Sequence, residues 1–265
     1  MHIAILGRQP ALGIAELERL YGPDAVRWFS DTTATINSAS FSIESLGGTQ
    51  KAGRVVLDLP RASWRDVSTK IIQTYARTWA GSEGKITLGI SAYDAAIPPR
   101  DIQKIGLTLK GQLKKSGVSL RLIPNTDAAL STATSHHNKL GLSPNKVELI
   151  IVRSRSGHII VAESVGSQNI TAYARRDQGR PKRDAFVGML PPKLAQIMIN
   201  LATPSNHSRV STQSVSDDLT PLERQRTTRE EDTGLGRDDH FLRVLDPFCG
   251  CLLYTSDAAD EARSV

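Results

Sequence analysis

The sequence predicts an α+β amino-terminal portion followed by the start of a parallel α/β domain, and three observations point there. Over the first 165 or so residues, short β-branched runs alternate with stretches of helical apolar spacing. Pro191 and Pro192 then open PPKLAQIMINLA, at positions where a helix needs no N–H donor; Leu194, Ile197, Met198 and Leu201 follow at i, i+3, i+4, i+7. Finally, Val244 to Gly250, VLDPFCG, is an apolar strand that stops at Asp246 and a Gly-containing turn. Such a turn sets a carboxylate and free backbone N–H groups at the carboxyl edge of a sheet, where open α/β sheets take nucleotides.

In chain order, HIAILG predicts a first strand, and Gly13 to Gly22 a helix with Leu17, Leu20 and Tyr21 on one side, stopped by Gly22–Pro23. Alternation over Thr33 to Asn37 and the run RVVLDL over Arg54 to Leu59 predict two more strands. Ser63 opens a helix in which Trp64, Val67, Ile71, Tyr75 and Trp79 recur every three or four residues, a spacing that places most of these rings in a core. The rhythm approximates β-α-β-β-α-β and suits a ferredoxin-like module over residues 1–80.

Residues 81–168 make a second α+β unit. ITLGISAY is a strand that ends before Pro98–Pro99, and Ile102, Ile105, Leu109 and Leu113 line one face of a helix. Val118–Ile123, Val147–Val152 and Ile159–Val165 are strands, the last two joined by a turn at Ser154–Gly157. Arg100, Lys104, Lys110, Lys114, Lys115 and Arg121 face only Asp101 as a counter-charge in that interval, and the lysines fall largely off the apolar stripe. A cluster of this kind can neutralise phosphates and release counterions, although a merely solvated helix face has the same pattern. His136–His137 has no Cys, Asp or Glu at ligand spacing, so no metal site is predicted; with Asn138 and Lys139 it suits a loop or an RNA edge.

Residues 169–187 read as a basic linker. Its Arg176, Arg180 and Arg183 could fork onto phosphates or pair with Asp177 and Asp184. Residues 203–240 are polar and almost without aromatics, the composition of a disordered insertion. The whole chain of 265 residues carries a formal charge of +6, a lean towards a polyanionic partner. Its 39% hydrophobic and 23% charged residues are those of a globular protein with a core. No apolar run is long enough to span a membrane, no signal peptide is evident, and Cys249 and Cys251 form neither a disulfide framework nor a zinc site. A cytoplasmic protein is expected. No hydrolase elbow, P-loop or zinc-protease helix occurs in the sequence.

VLDPFCG resembles the S-adenosylmethionine motif of class I methyltransferases, in the form found in RNA methylases that carry a THUMP domain. RRDQGRPKRDAFVGMLPPKLAQIMINLA resembles the segment before that motif in the same family, most of all in tRNA guanine-N2 methyltransferases. LGRQPALGIAELERLYG and LGGTQK resemble the family's amino-terminal domain; LTLKGQLKKSGVSLRLIP and LSTATSHHNKLG look like its THUMP domain. The resemblance covers most of residues 1–250 and implies a Rossmann-like methyltransferase domain that begins at residue 188. It implies S-adenosyl-L-methionine as cofactor, with Met189, Leu190 and Pro191 on the methionine side and Asp246, Pro247, Phe248, Cys249 and Gly250 forming the pocket. It also implies tRNA as partner, held by its acceptor end through the basic residues named above, with an activator subunit left open.

The family continues its motif as Gly-Thr-Gly and a helix, whereas this chain has Cys251 and LLYTSDAADEARSV. CLLYTSDAADE resembles a translated sequencing adapter, so residues 251–265 are expected to be a non-native tail. The family's later Asn/Asp-Pro-Pro-aromatic motif, which holds and stacks the target guanine, does not occur. No catalytic residue is therefore assigned, and the chain as written is expected to bind RNA without methylating it. A ribosomal RNA guanine methylase, a stand-alone RNA-binding module, and an α+β protein with a merely solvated basic surface remain the alternatives.

Overall fold

The structure, a computed structural model, describes residues 1–180 and 189–202. The chain divides into two compact units, Met1–Ile197 and Met198–Val265, and only residues 198–202 of the second are described. The expected motif strand at Val244–Gly250, and the linker's Arg183, lie outside the described residues, as do the polar stretch 203–240 and the tail 251–265.

The first unit is mixed α/β. In order it runs β1 (His2–Leu6), α1 (Pro10–Tyr21), β2 (Val26–Trp28), β3 (Thr33–Ile36), β4 (Thr49–Leu59) and α2 (Trp64–Thr78). It continues with β5 (Lys85–Tyr93), α3 (Pro99–Lys115), β6 (Ser119–Leu122), α4 (Thr132–His137), β7 (Lys146–Arg153), β8 (Ile159–Ser167) and α5 (Ile170–Gln178). Last comes α6 (Pro192–Ala202), which starts at the proline pair as its sequence predicts and of which residues 192–197 belong to this unit. Ser63 caps α2 in a full capping box: its hydroxyl accepts from the Asp66 N–H, and the Asp66 carboxylate accepts from the Ser63 N–H.

All eight strands form one sheet in the order β2-β3-β1-β4-β8-β7-β5-β6. The pairs are antiparallel except β5 with β6 and β5 with β7. Residues 1–80 and 81–168 thus share a sheet, joined where β4 pairs with β8. The order β2-β3-β1-β4 has the strand senses of a β-α-β-β-α-β unit, but a loop replaces the second helix. That loop, residues 37–48, is rich in Ser and Gly, which favour turns over helix.

Strand parity assigns the two faces. Even residues of β5, odd residues of β7 and β8, and Leu120 and Leu122 of β6 pack with α2 and α3 around Val67, Ile71, Tyr75, Ile102, Ile105, Leu109 and Leu113. Ala4 and Leu6 of β1 pack with Ile14 and Leu17 of α1 on the same side of the sheet. On the opposite side Ile3 and Ile5 of β1 cluster with Ile150, Val152, Ile160 and Ala162, although β4 lies between β1 and β8. The sheet therefore curls, with this face concave. Two irregularities in the β4–β8 pairing, at Ala52/Gly53 and Val55/Leu57, supply the extra twist.

The concave face also holds a buried ion pair. Lys51 Nζ lies 2.5 Å from Glu148 Oε1 and donates to the Leu130 carbonyl at 2.8 Å, with both charged side chains fully buried. Ser91 donates to the same carboxylate oxygen and accepts from the Leu130 N–H, which ties the loop before α4 onto the sheet. Desolvation holds the Lys51 ammonium below its ordinary pKa even though Glu148 opposes the shift.

A second buried carboxylate organises the Leu46–Gly48 turn. Glu16 of α1 accepts from the N–H groups of Gly47 and Gly48 at 2.9 and 2.8 Å, and Gln168 donates to the Gly47 carbonyl. A Cβ on Gly47 would stand 2.4 Å from the Lys193 carbonyl oxygen and 2.9 Å from Ile197, so only glycine lets the first turns of α6 sit here.

Five features depart from the sequence expectation: Thr132–His137, expected as loop, is the helix α4, and four others follow. α1 begins at Pro10, three residues before Gly13, because Pro is well placed at the first helical position. β4 begins at Thr49, five residues before Arg54, and buries Lys51, a residue that reads as surface until its partner is known. The short β2 has no alternation to reveal it. Residues 170–178 of the expected linker are the helix α5, with Asn169 accepting from the Ala172 N–H at its start.

Candidate nucleic-acid interface

The helix α3 buries Ile102, Ile105, Gly106, Leu109 and Leu113 against the sheet. At about 100° per residue, Arg100, Lys104, Leu107, Gly111, Lys114 and Lys115 fall on the side directly opposite that stripe, with Lys110 on its flank. All of these are exposed. Leu107 is 57% accessible, and a Cβ on Gly111 would meet nothing within 4 Å. Among the described residues, Arg100, Lys104, Lys110, Lys114 and Lys115 form no ion pair. The stripe is about 22 Å long from the helical rise of 15 steps. Lys114 and Lys115 also sit in the last turn, where they complement the helix dipole.

Arg121 belongs to the other side. It pairs with Thr87 of β5, and Leu120 and Leu122 on either side of it point to α3, so its side chain leaves from the concave face. That face carries α4 as well, because a Cβ on Gly89 would meet Leu130 and Leu140, which flank α4. Asn138 and Lys139 follow α4 directly. The Asn138 amide donates to the Thr134 carbonyl, and Lys139, exposed at φ 54°, turns the chain back to the sheet. His136 is within hydrogen-bonding distance of Thr171 of α5, at 3.2 Å. No group of three potential metal ligands occurs among the described residues. The sequence places the cations in one cluster; the fold divides them between two faces of one sheet.

Arg176 of α5 and Arg180 just beyond it are engaged with the protein, while Arg175 is exposed. The Arg176 guanidinium lies 5.3 Å from the centre of the Tyr173 ring, and the Lys193 ammonium 5.5 Å from it. Burial holds Lys193 below its ordinary pKa. Arg180 pairs with Asp177 at 3.0 Å and donates to the Leu190 carbonyl at 2.7 Å, with its side chain only 8% accessible. The linker's structural alternative, an ion pair with Asp177, is thus present at Arg180. Met189 and Leu190 are half-buried and Pro191 exposed ahead of α6; the Asp246–Gly250 part of the expected cofactor pocket is outside the described residues.

A groove at another corner lies in stretches that carry no motif. It is lined by Pro10 and Ala11 of α1, Trp28–Asp31 of the β2–β3 turn, and Ser154–Ser156 of the β7–β8 turn. Trp28 is 53% accessible and the only Trp, Tyr or Phe among the described residues that is exposed. The signal available in sequence was VRWFSD, a tryptophan next to a turn rather than on a helical stripe.

No protein-family model matches the chain, and no curated protein matches it. Among solved structures it is similar to TrmN from Thermus thermophilus, at 16% identity and a TM-score of 0.42 over 76% of this chain and 54% of that one. It is similar to a 4-thiouridine synthetase solved with RNA and ATP, at 11% identity and a TM-score of 0.36, over 63% of this chain and 41% of that one. It is also similar to PH1313 from Pyrococcus horikoshii Ot3, at 12% identity and TM-score 0.37, over 63% of this chain and 55% of that one. The chain spans about half the length of these structures.

Proposed function

We propose that the Met1–Ile197 unit is the RNA-binding portion of a cytoplasmic, S-adenosylmethionine-dependent RNA methyltransferase that modifies guanine N2 in tRNA. The observation that carries the RNA part is the α3 stripe: Arg100, Lys104, Lys114 and Lys115 along one exposed helix face, none ion-paired among the described residues. Unpaired cations on a rigid, core-anchored element lose little entropy on meeting phosphates, and the counterions they displace drive binding. The exposed Gly111 leaves room for a backbone to approach between the two ends of the stripe. What supports the methyltransferase part is the sequence resemblance around α6 and at VLDPFCG; the cofactor would supply the methyl group, and the acceptor end of tRNA is the partner that resemblance implies.

The test is tRNA binding by fluorescence anisotropy, with two charge-reversal sets made in the full chain. Reversing Lys104, Lys114 and Lys115 to Glu is expected to weaken binding at least about tenfold, since each lost phosphate contact removes released counterions. Reversing Arg121 and Lys139 is expected to cost less. Unaltered affinity in the α3 set, with the fold intact by circular dichroism, would remove the RNA surface from α3.

A further inference from the structure

We propose that the groove between the first turn of α1, the β2–β3 turn and the β7–β8 turn takes an unpaired nucleotide of the same RNA, with Trp28 stacking on the base and Arg155 meeting its phosphate. This rests on the RNA reading above and names a second subsite for it.

Trp28 lies opposite Ala34 in the β2–β3 pair, on the same side of the sheet as α1, so its ring stands beside Pro10 and Ala11. An indole left half in water on a three-residue edge strand contributes little to the core, and its free face is a stacking platform for any base. Arg155 supplies the charge. Its guanidinium is 2.7 Å from Asp31, yet the Arg155 side chain is 85% accessible and that of Asp31 59%. An ion pair so exposed is weak and can share its cation with a phosphate. Arg8 and Arg153, both exposed, add positive charge at the adjoining loop and strand end. Hydroxyls of Ser154 and Ser156, 2.8 Å apart, offer further polar contacts in the same wall.

The groove also connects to the α3 stripe. Asp94, at the end of β5 in a left-handed conformation (φ 54°), accepts from the Ser30 hydroxyl at 2.5 Å and from the Thr32 hydroxyl and N–H at 2.8 and 3.2 Å. Six residues later comes Arg100, the first cation of the stripe, within about 20 Å along even a fully extended chain. The clasp at Asp94 therefore ties the β2–β3 turn to the end of β5, six residues before the stripe begins. A protein partner would need a broad apolar patch, whereas here one exposed ring stands in a small groove with Arg155, Asp31 and three serines in its wall.

The experiment compares the full chain with Trp28→Ala and Trp28→Phe on two RNAs: a blunt duplex, and the same duplex with a short unpaired extension. The expected result is that Trp28→Ala weakens binding of the extended RNA about tenfold, the size of a lost base stack, and leaves the blunt duplex unchanged. Trp28→Phe keeps most of the preference, and the quenching of indole fluorescence by the extended RNA disappears in that variant, which retains Trp64 and Trp79. Equal loss on both RNAs, or none, overturns the subsite while leaving RNA binding by α3 in place. A change in sedimentation without a change in RNA affinity overturns it in favour of self-association. If the unmodified chain binds neither RNA, the RNA reading and the subsite fall together.

Discussion

At the scale of single residues, the most consequential side chain is Lys51. It is fully buried on the concave face, held by Glu148 Oε1 and the Leu130 carbonyl, with the Tyr93 ring centre 5.8 Å away. Burial, and then the same carboxylate, push the Tyr93 hydroxyl far above its ordinary pKa. Lys51→Met would leave Glu148 desolvated with the Ser91 hydroxyl as its remaining donor, and its Oε2 has no partner even now among the described residues. The expected cost is about 3–5 kcal/mol, read by denaturant unfolding. Lys51→Met combined with Glu148→Leu should recover most of that loss, since two apolar side chains need no partner. A double variant as unstable as the single one would show that the pair does more than satisfy itself. None of this was legible in sequence: Lys51 and Glu148 are 97 positions apart, and LGGTQK offers no sign that its lysine turns inward. The α3 cations were legible, because each sits off a clear apolar stripe.

Among the elements, long helices followed from periodicity, and short or unpatterned ones did not. Val67, Ile71 and Tyr75 of α2 and Ile102, Ile105, Leu109 and Leu113 of α3 are all buried, as their spacing requires. The six-residue α4 is too short to show a period, and α5 was masked by its arginines, whose charge reads as linker. β2, with only Val26 buried, was found by neither signal. The start of α2 provides a test by pH. The Ser63 hydroxyl and N–H hold the Asp66 carboxyl below its ordinary value. A carboxyl depressed in the folded state stabilises it above the unfolded pKa and loses that contribution as pH falls through about 4. Asp66→Asn should therefore flatten the acid side of the Tm–pH curve and leave Tm at high pH lower. Ser63→Ala should cost about 1 kcal/mol near neutral pH through the lost cap. An acid limb unchanged in Asp66→Asn would mean that other carboxylates control it.

Across the whole molecule, curling of one sheet decides which residues can act together. Alternation along β5 and β6 sends Leu120 and Leu122 to α3 and Arg121 to the α4 side, a consequence of strand pairing that a reading along the chain cannot weigh. The cations that sequence gathers into one cluster thus stand on two faces, with the edge strand β6 as the seam. This makes the salt dependence of RNA binding diagnostic. If α3 alone meets the phosphates, Arg100, Lys104, Lys114 and Lys115 give a log–log slope of about −3 to −4. Reversing Arg121 and Lys139 would then shift affinity with little change of slope. If RNA wraps around the β6 edge, both sets contribute, and the unmodified slope steepens to about −4 to −5. The α3 cations stand on one helix face and form no ion pair among the described residues, whereas Arg121 and Lys139 are separated along the chain by α4 and the loop that Lys51 and Ser91 hold down. We therefore expect the shallower slope, measured by anisotropy titrations over a range of monovalent salt. A slope that flattens on reversing Arg121 and Lys139 would place the RNA across the β6 edge, with both sets of cations on phosphates.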